Sequence, residues 1–192
     1  MEGLFKNKYK IPSTRLSDWD YSSCAYYFIT LCTHERAHYF GDVLMDDGGK
    51  YSMALSDIGK IARDCWLDIP NHFFNTSLDE WVIMPNHMHG IIVINNDIKS
   101  NIVETCHGMS LQGERYNQFS KPIPGSLSMI VNHFKGSTKR ECNRRNLDFH
   151  WQTRFYDHII RTEKSLYKIR RYIINNPLMW HCDRNNPDGL LI

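Results

Sequence analysis

Two strand-length runs, residues 78–84 (LDEWVIM) and 87–94 (HMHGIIVI), are separated only by Pro85 and Asn86. A proline-asparagine step supplies turn geometry and cannot continue a strand, so the two runs read as a β-hairpin. This is the tightest constraint in the chain, because it fixes two adjacent antiparallel strands and forces every other element to pack around them. Ahead of it, residues 25–33 (AYYFITLCT) are rich in aromatic and β-branched side chains and read as a strand buried on both faces. Between the two lie a turn at Asp46-Asp47-Gly48-Gly49 and a helix with Ser56 as its N-cap. That helix carries Ile58, Ile61, Ala62, Cys65, Trp66 and Ile69 on one face, and Pro70 marks its end.

Beyond the hairpin, residues 95–124 are polar, contain Gly108, Gly113, Pro122 and Pro124, and show no periodicity. Such a length reads as a functional or disordered loop. A second helix starts near Ser126 and buries Leu127, Ile130, Val131 and Phe134; its later turns carry Lys135, Lys139, Arg140, Arg144 and Arg145. Residues 149–160 read as a fourth strand with an irregular middle. A third helix begins near Thr162 and runs to about Asn176, limited by Pro177. The order is β-α-β-β-α-β-α. Its first six elements match the α+β, ferredoxin-like split βαβ arrangement, an antiparallel four-stranded sheet with two helices on one face. No linker or repeat divides the chain, so residues 1–192 are expected to form a single domain, with 1–23 as an N-terminal arm and 95–124 as a long polar loop.

Composition narrows the function classes. The 192 residues, 42% hydrophobic and 23% charged, are ordinary globular usage and exclude a disordered tail protein. No apolar run approaches the ~20 residues of a membrane-spanning helix, and residues 1–23 lack the apolar stretch of a secretory signal. The six cysteines include no CxxC pair, which excludes a zinc ribbon or finger. A reduced, cytoplasmic protein is expected. Charge is unevenly spread: residues 121–171 hold 12 Lys and Arg against 4 Asp and Glu, whereas the rest of the chain holds 11 against 17. A basic segment beside an acidic remainder suits a polyanionic partner, although a solvated helix face would give the same pattern.

Two pairs of residues could carry chemistry. His87 and His89 are two apart on a strand, so both imidazoles leave from one face and can reach one ion. Spacing alone also fits two surface or hydrogen-bonded histidines. Tyr172 and Asn176 are four apart on the last helix and share a face, flanked by Lys168 and Arg171, while Leu166, Ile169 and Ile173 supply the apolar stripe. A tyrosine packed on the sheet and an asparagine at a helix end would satisfy that pattern equally.

The ordered set of motifs resembles the single-tyrosine HUH transposases, and most of all the REP-associated tyrosine transposases. The resemblance spans roughly residues 15–180. It rests on Asp20-Tyr21-Ser22 leading into YFITLCT (27–33), on EWVIMPNHMHG (80–90), on Trp151-Gln152-Thr153-Arg154-Phe155, and on YIINNP (172–177). In that family two HUH histidines and a polar residue one helical turn after the tyrosine hold a divalent cation. Carried onto this sequence, these are His87, His89 and Asn176, with Mg²⁺ or Mn²⁺ as the implied ion. The tyrosine, Tyr172 here, attacks a phosphodiester of single-stranded DNA near a hairpin, leaving a 5′-phosphotyrosine link and a free 3′-OH. A phenol is a weak nucleophile at neutral pH, and a metal-polarised phosphate lowers the demand on it.

The resemblance implies a transposase-like endonuclease and strand transferase, with Lys135, Lys139, Arg140, Arg144 and Arg154 as candidate phosphate contacts. It leaves monomer and homodimer open. Two other readings share these residues: a REP-hairpin-binding protein without turnover, and a rolling-circle-type replication initiator. No tyrosine stands four residues from Tyr172, since Lys168 and Asn176 hold those places. That sets the chain apart from two-tyrosine initiators and relaxases. Cys24, Phe28 and Cys32, on alternate strand positions, are expected in the core, and the remaining histidines are expected to take no part in metal binding.

Overall fold

The computed structural model describes residues 4–5, 8–9, 16, 19–95, 123–183 and 186. The elements are β1 (Leu4–Phe5), β2 (Lys8–Tyr9), β3 (Ala25–Cys32), β4 (Gly41–Met45), β5 (Tyr51–Leu55), α1 (Asp57–Leu67), α2 (Ile69–His72), β6 (Thr76–Met84), β7 (His87–Ile94), α3 (Leu127–Arg144), β8 (Tyr156–Ile160) and α4 (Glu163–Asn175). Four of the strands form the main sheet in the order β6-β7-β3-β8, with every neighbour antiparallel. This is the expected α+β, split βαβ arrangement.

The Pro85-Asn86 hairpin is present, with Met84 opposite His87 and the register running to Thr76 opposite Ile94 across one irregularity between Leu78 and Trp81. β7 is buried at all eight positions because helices cover both faces of the sheet. On one face Met88, Ile92 and Ile94 join Tyr27, Ile29 and Leu31 of β3 in a core closed by Trp66 of α1 and by Ile130 and Phe134 of α3. Gly90 belongs to this face: a Cβ there would lie 2.5 Å from Cζ2 of Trp66, so the missing side chain is the space the indole fills. On the other face Phe28, Ile91, Val93 and Ile160 pack against Ile173, with Leu166 and Ile169 partly buried beside them. The C-terminal helix therefore sits opposite the other two.

Local grammar works where side chains bond their own backbone. Ser56 Oγ accepts from Gly59 N at 3.0 Å and starts α1. Thr162 Oγ1 accepts from Ser165 N at 3.2 Å and starts α4, each such cap contributing about 1 kcal/mol. α4 is also tied to β6 by Arg170, which donates through Nε to Asp79 Oδ1 at 2.8 Å and through Nη2 to Oδ2.

Several expectations are corrected. A second hairpin, β4–β5, forms its own two-stranded sheet between β3 and α1; its residues are mostly exposed, so no apolar periodicity announces it. Within the segment expected as an arm, β1 and β2 pair with each other. Pro70 does not close α1, which ends at Leu67; it lies in the first turn of the short α2, where a proline lacks no needed donor. The fourth strand is confined to β8, and only an isolated bridge between Thr33 and Trp151 precedes it. Cys24 is exposed and Cys32 half-buried, so of the three expected core residues only Phe28 is buried. The expected polar loop falls, between residues 96 and 122, outside the described residues. No helix among the described residues is long and apolar enough to cross a membrane.

Candidate functional site

Strand parity assembles the site. His87 and His89 leave β7 on the same side as Ile91 and Val93, toward α4. His89 pairs across the sheet with Thr30 on one side and Val82 on the other, and Thr30 pairs in turn with Tyr156, giving a row across all four strands. Both imidazoles are buried, at 0% and 3% exposure.

Each ring is oriented through its Nδ1. His87 Nδ1 lies 2.9 Å from Asn86 Oδ1, and Asn86 Nδ2 donates to Arg36 O at 3.1 Å, which fixes the amide. An amide oxygen only accepts, so His87 carries its proton on Nδ1 and its Nε2 presents a lone pair. His89 Nδ1 lies 2.8 Å from Thr30 Oγ1. The two Nε2 atoms then face one another at 3.1 Å. Two nitrogens bound at about 2.1 Å to one ion, at right angles, are about 3.0 Å apart, so this spacing suits a shared cation.

α4 brings its tyrosine to the same point. Tyr172 Oη is 3.1 Å from His89 Nε2, and the residue is 48% exposed, reachable from solvent. Asn176 closes the helix, 3% exposed. Its Oδ1 is buried with no hydrogen-bond partner among the described residues. An orphaned buried carbonyl oxygen is costly unless something electropositive meets it, and a hard cation is one such group, so the residues present fit a divalent metal.

Asp183 is the residue that sequence reasoning missed. Past Pro177 the chain forms a short 3-10 turn, Trp180–Cys182, and returns toward the sheet, where Trp180 lies 6.0 Å from the His87 ring. Asn186 Nδ2 donates to Trp180 O at 3.1 Å and its backbone N to Asp183 O at 2.8 Å, fastening the turn. Asp183 Oδ2 thereby reaches 3.9 Å from His87 Nε2 with its side chain 8% exposed. His87, His89 and Asp183 offer ligand atoms within 4.8 Å of one another. No periodicity or motif spacing links Asp183 to the histidines; only its acidity marked it. Phe28, expected simply as core, stacks on His89 at 5.4 Å and forms the floor of the site.

The basic residues fare differently from one another. Lys135 Nζ donates to Gln152 O at 2.6 Å, and burial pushes its ammonium pKa down. Lys139 Nζ donates to Phe149 O. Both therefore fasten the segment before β8 to α3. Arg140 donates to Ser137 Oγ at 2.8 Å, and Arg144 forms a two-pronged pair with Glu141. Arg144 and Arg145 hold the Glu141 carboxyl down at about 2. Arg154 is exposed in the segment leading into β8.

No protein-family model matches the chain. An uncharacterised protein of Haemophilus influenzae is 36% identical over 173 residues, covering 90% of this chain and 91% of its own length. Among solved structures, a REP-associated tyrosine transposase bound to a REP hairpin superposes with a TM-score of 0.55 at 18% identity, covering 87% of this chain and 74% of that one. A candidate transposase from Deinococcus radiodurans reaches a TM-score of 0.41 at 13% identity over 85% of this chain and 97% of that one. The fold is shared with the REP-associated transposase, and the chain belongs to the same family as the Haemophilus influenzae protein.

Proposed function

We propose that the protein is a metal-dependent endonuclease and strand transferase of the single-tyrosine HUH type, acting on single-stranded DNA beside a hairpin. The observation that carries this reading is the half-exposed Tyr172, whose hydroxyl lies 3.1 Å from one of two facing histidine nitrogens. Similarity in fold to a transposase bound to a REP hairpin supports it.

Tyr172 is the nucleophile. Its oxygen forms the new bond to phosphorus as the bond to the 3′ oxygen breaks; the phenol gives up a proton and the leaving 3′ oxygen gains one. The products are a 5′-phosphotyrosine and a free 3′-OH, and attack by a second 3′-OH reverses the step. His87, His89 and Asn176 hold the cation, with Asp183 as a further ligand in reach. Mg²⁺ or Mn²⁺, when bound, supplies Lewis-acid polarisation of the phosphate. Asn86 and Thr30 hold the two imidazoles in place. Arg154, exposed in the segment leading into β8, and Arg140, which donates to Ser137 Oγ on its own helix, are the basic side chains most available to phosphates, because Lys135 and Lys139 hold backbone carbonyls and Arg144 is paired with Glu141. The protein works as one domain, as a monomer or homodimer. Incubation with a labelled REP-type hairpin oligonucleotide and Mg²⁺ tests the reading: a covalent protein–DNA adduct is expected, and binding without adduct would leave a hairpin-binding protein instead.

A further inference from the structure

The site continues past Tyr172 as an aromatic ledge that the cleavage chemistry does not use. Phe28 lies at its centre, with the Tyr172 ring edge-on at 6.2 Å and the Tyr156 ring edge-on at 6.4 Å. Tyr156 opens β8, an edge strand, and its cross-strand partner is Thr30, the residue that orients His89. Tyr156 is 49% exposed, as open as Tyr172, while Phe28 between them is 8% exposed. Tyr156 is thus a tyrosine in the row of His89 with half its surface in water, and it shares the Phe28 ring as a neighbour with Tyr172. Arg154, exposed two residues earlier, adds positive charge at the same edge.

We infer that Tyr156 is the stacking platform for a base of the single strand next to the scissile phosphate. A strand whose phosphate meets Tyr172 must lay its adjoining nucleotide along the neighbouring surface. Single-stranded DNA is held by aromatic faces interleaved with cations. The inference rests on the proposed single-stranded DNA activity. Tyr156 thereby sets the register in which the strand enters the site, and Tyr172 acts on whichever phosphate that register presents.

Fluorescence anisotropy with a REP-type hairpin oligonucleotide bearing single-stranded flanks tests it, using oligonucleotides with one abasic residue stepped through the flanks. Tyr156→Ala is expected to weaken binding of the intact strand about tenfold, whereas Tyr156→Phe retains it. One abasic position is expected to bind wild type and Tyr156→Ala equally, because the base that stacks is gone. Equal affinity of wild type and Tyr156→Ala for the intact strand overturns the inference, as does a loss the same at every abasic position. Thermal melting of both variants checks that the fold is intact; if Tyr156→Ala melts early, Tyr156→Leu, which keeps bulk without a π-face, takes its place with the same expectations. Failure of the underlying reading looks different: wild type itself then forms no adduct, and where it also binds no flank-bearing oligonucleotide the inference falls with it.

Discussion

His87 and His89 face one another because of strand parity, but their rings point at each other because Asn86 and Thr30 hold the opposite nitrogens. His87→Ala or His89→Ala should therefore abolish divalent-dependent cleavage, and circular dichroism should show the fold retained. Cleavage by either variant, or by wild type in EDTA, would return the pair to the role of hydrogen-bonded histidines. Tyr172→Phe removes one oxygen and keeps the ring against Phe28. It should form no adduct yet bind the hairpin about as well as wild type, while Tyr167→Phe still cleaves. Were Tyr172 only a packing residue, its substitution would cost about 1 kcal/mol and leave cleavage standing. Asp183→Asn addresses the residue that no motif indicated: Mn²⁺ affinity measured by calorimetry should fall, and an unchanged affinity would remove it from the ligand set.

At the scale of elements, α3 and α4 divide their charges between structure and surface. Lys135 and Lys139 are spent on backbone carbonyls before β8, whereas Arg140 donates to a hydroxyl of its own helix, Ser137 Oγ, so of the α3 cations Arg140 is the better test of DNA contact. Arg140→Ala should shallow the log–log salt dependence of single-strand binding by about 0.7, the share of one phosphate. An unchanged slope would assign the whole helix to structure. α4 depends on its apolar stripe and on the Asp79–Arg170 pair. The guanidinium holds the Asp79 carboxyl below its usual range. The pair thus contributes in full above the ordinary carboxylate pKa and is lost as the pH falls through the lowered folded value. With the Arg170 side chain 40% exposed and screened by water, the contribution is roughly 1 kcal/mol or less. Asp79→Asn should lower the melting temperature at neutral pH, and its difference from wild type should vanish in acid; a difference that persists in acid would point to packing instead.

For the whole molecule, helices on both faces make the central strands intolerant of added volume. Gly90→Ala would set a methyl group 2.5 Å from Cζ2 and 2.8 Å from Cη2 of Trp66, an indole already fully buried. Overpacking of this kind costs about 1–3 kcal/mol, which a denaturant melt should register as an earlier midpoint. The site would follow, because Gly90 is the residue after His89 on the same strand.

Sequence alone determined the hairpin at Pro85-Asn86, the order of the sheet's strands and helices, both side-chain caps, the shared face of His87 and His89, and the shared face of Tyr172 and Asn176. All of these are local: each follows from a period of 2 or 3.6, or from a side chain bonding its own backbone within three residues. It did not reveal β4 and β5, whose exposed residues leave no apolar pattern, or that Lys135 and Lys139 hold carbonyls more than nine residues along the chain. Nor did it reveal that α4 lies on the face opposite α1 and α3, which is what brings Tyr172 within 3.1 Å of His89. Asp183 and Tyr156 belong to the same class. Their places depend on a returning turn and on an edge-strand register, and contacts between distant segments leave no period in the sequence to read.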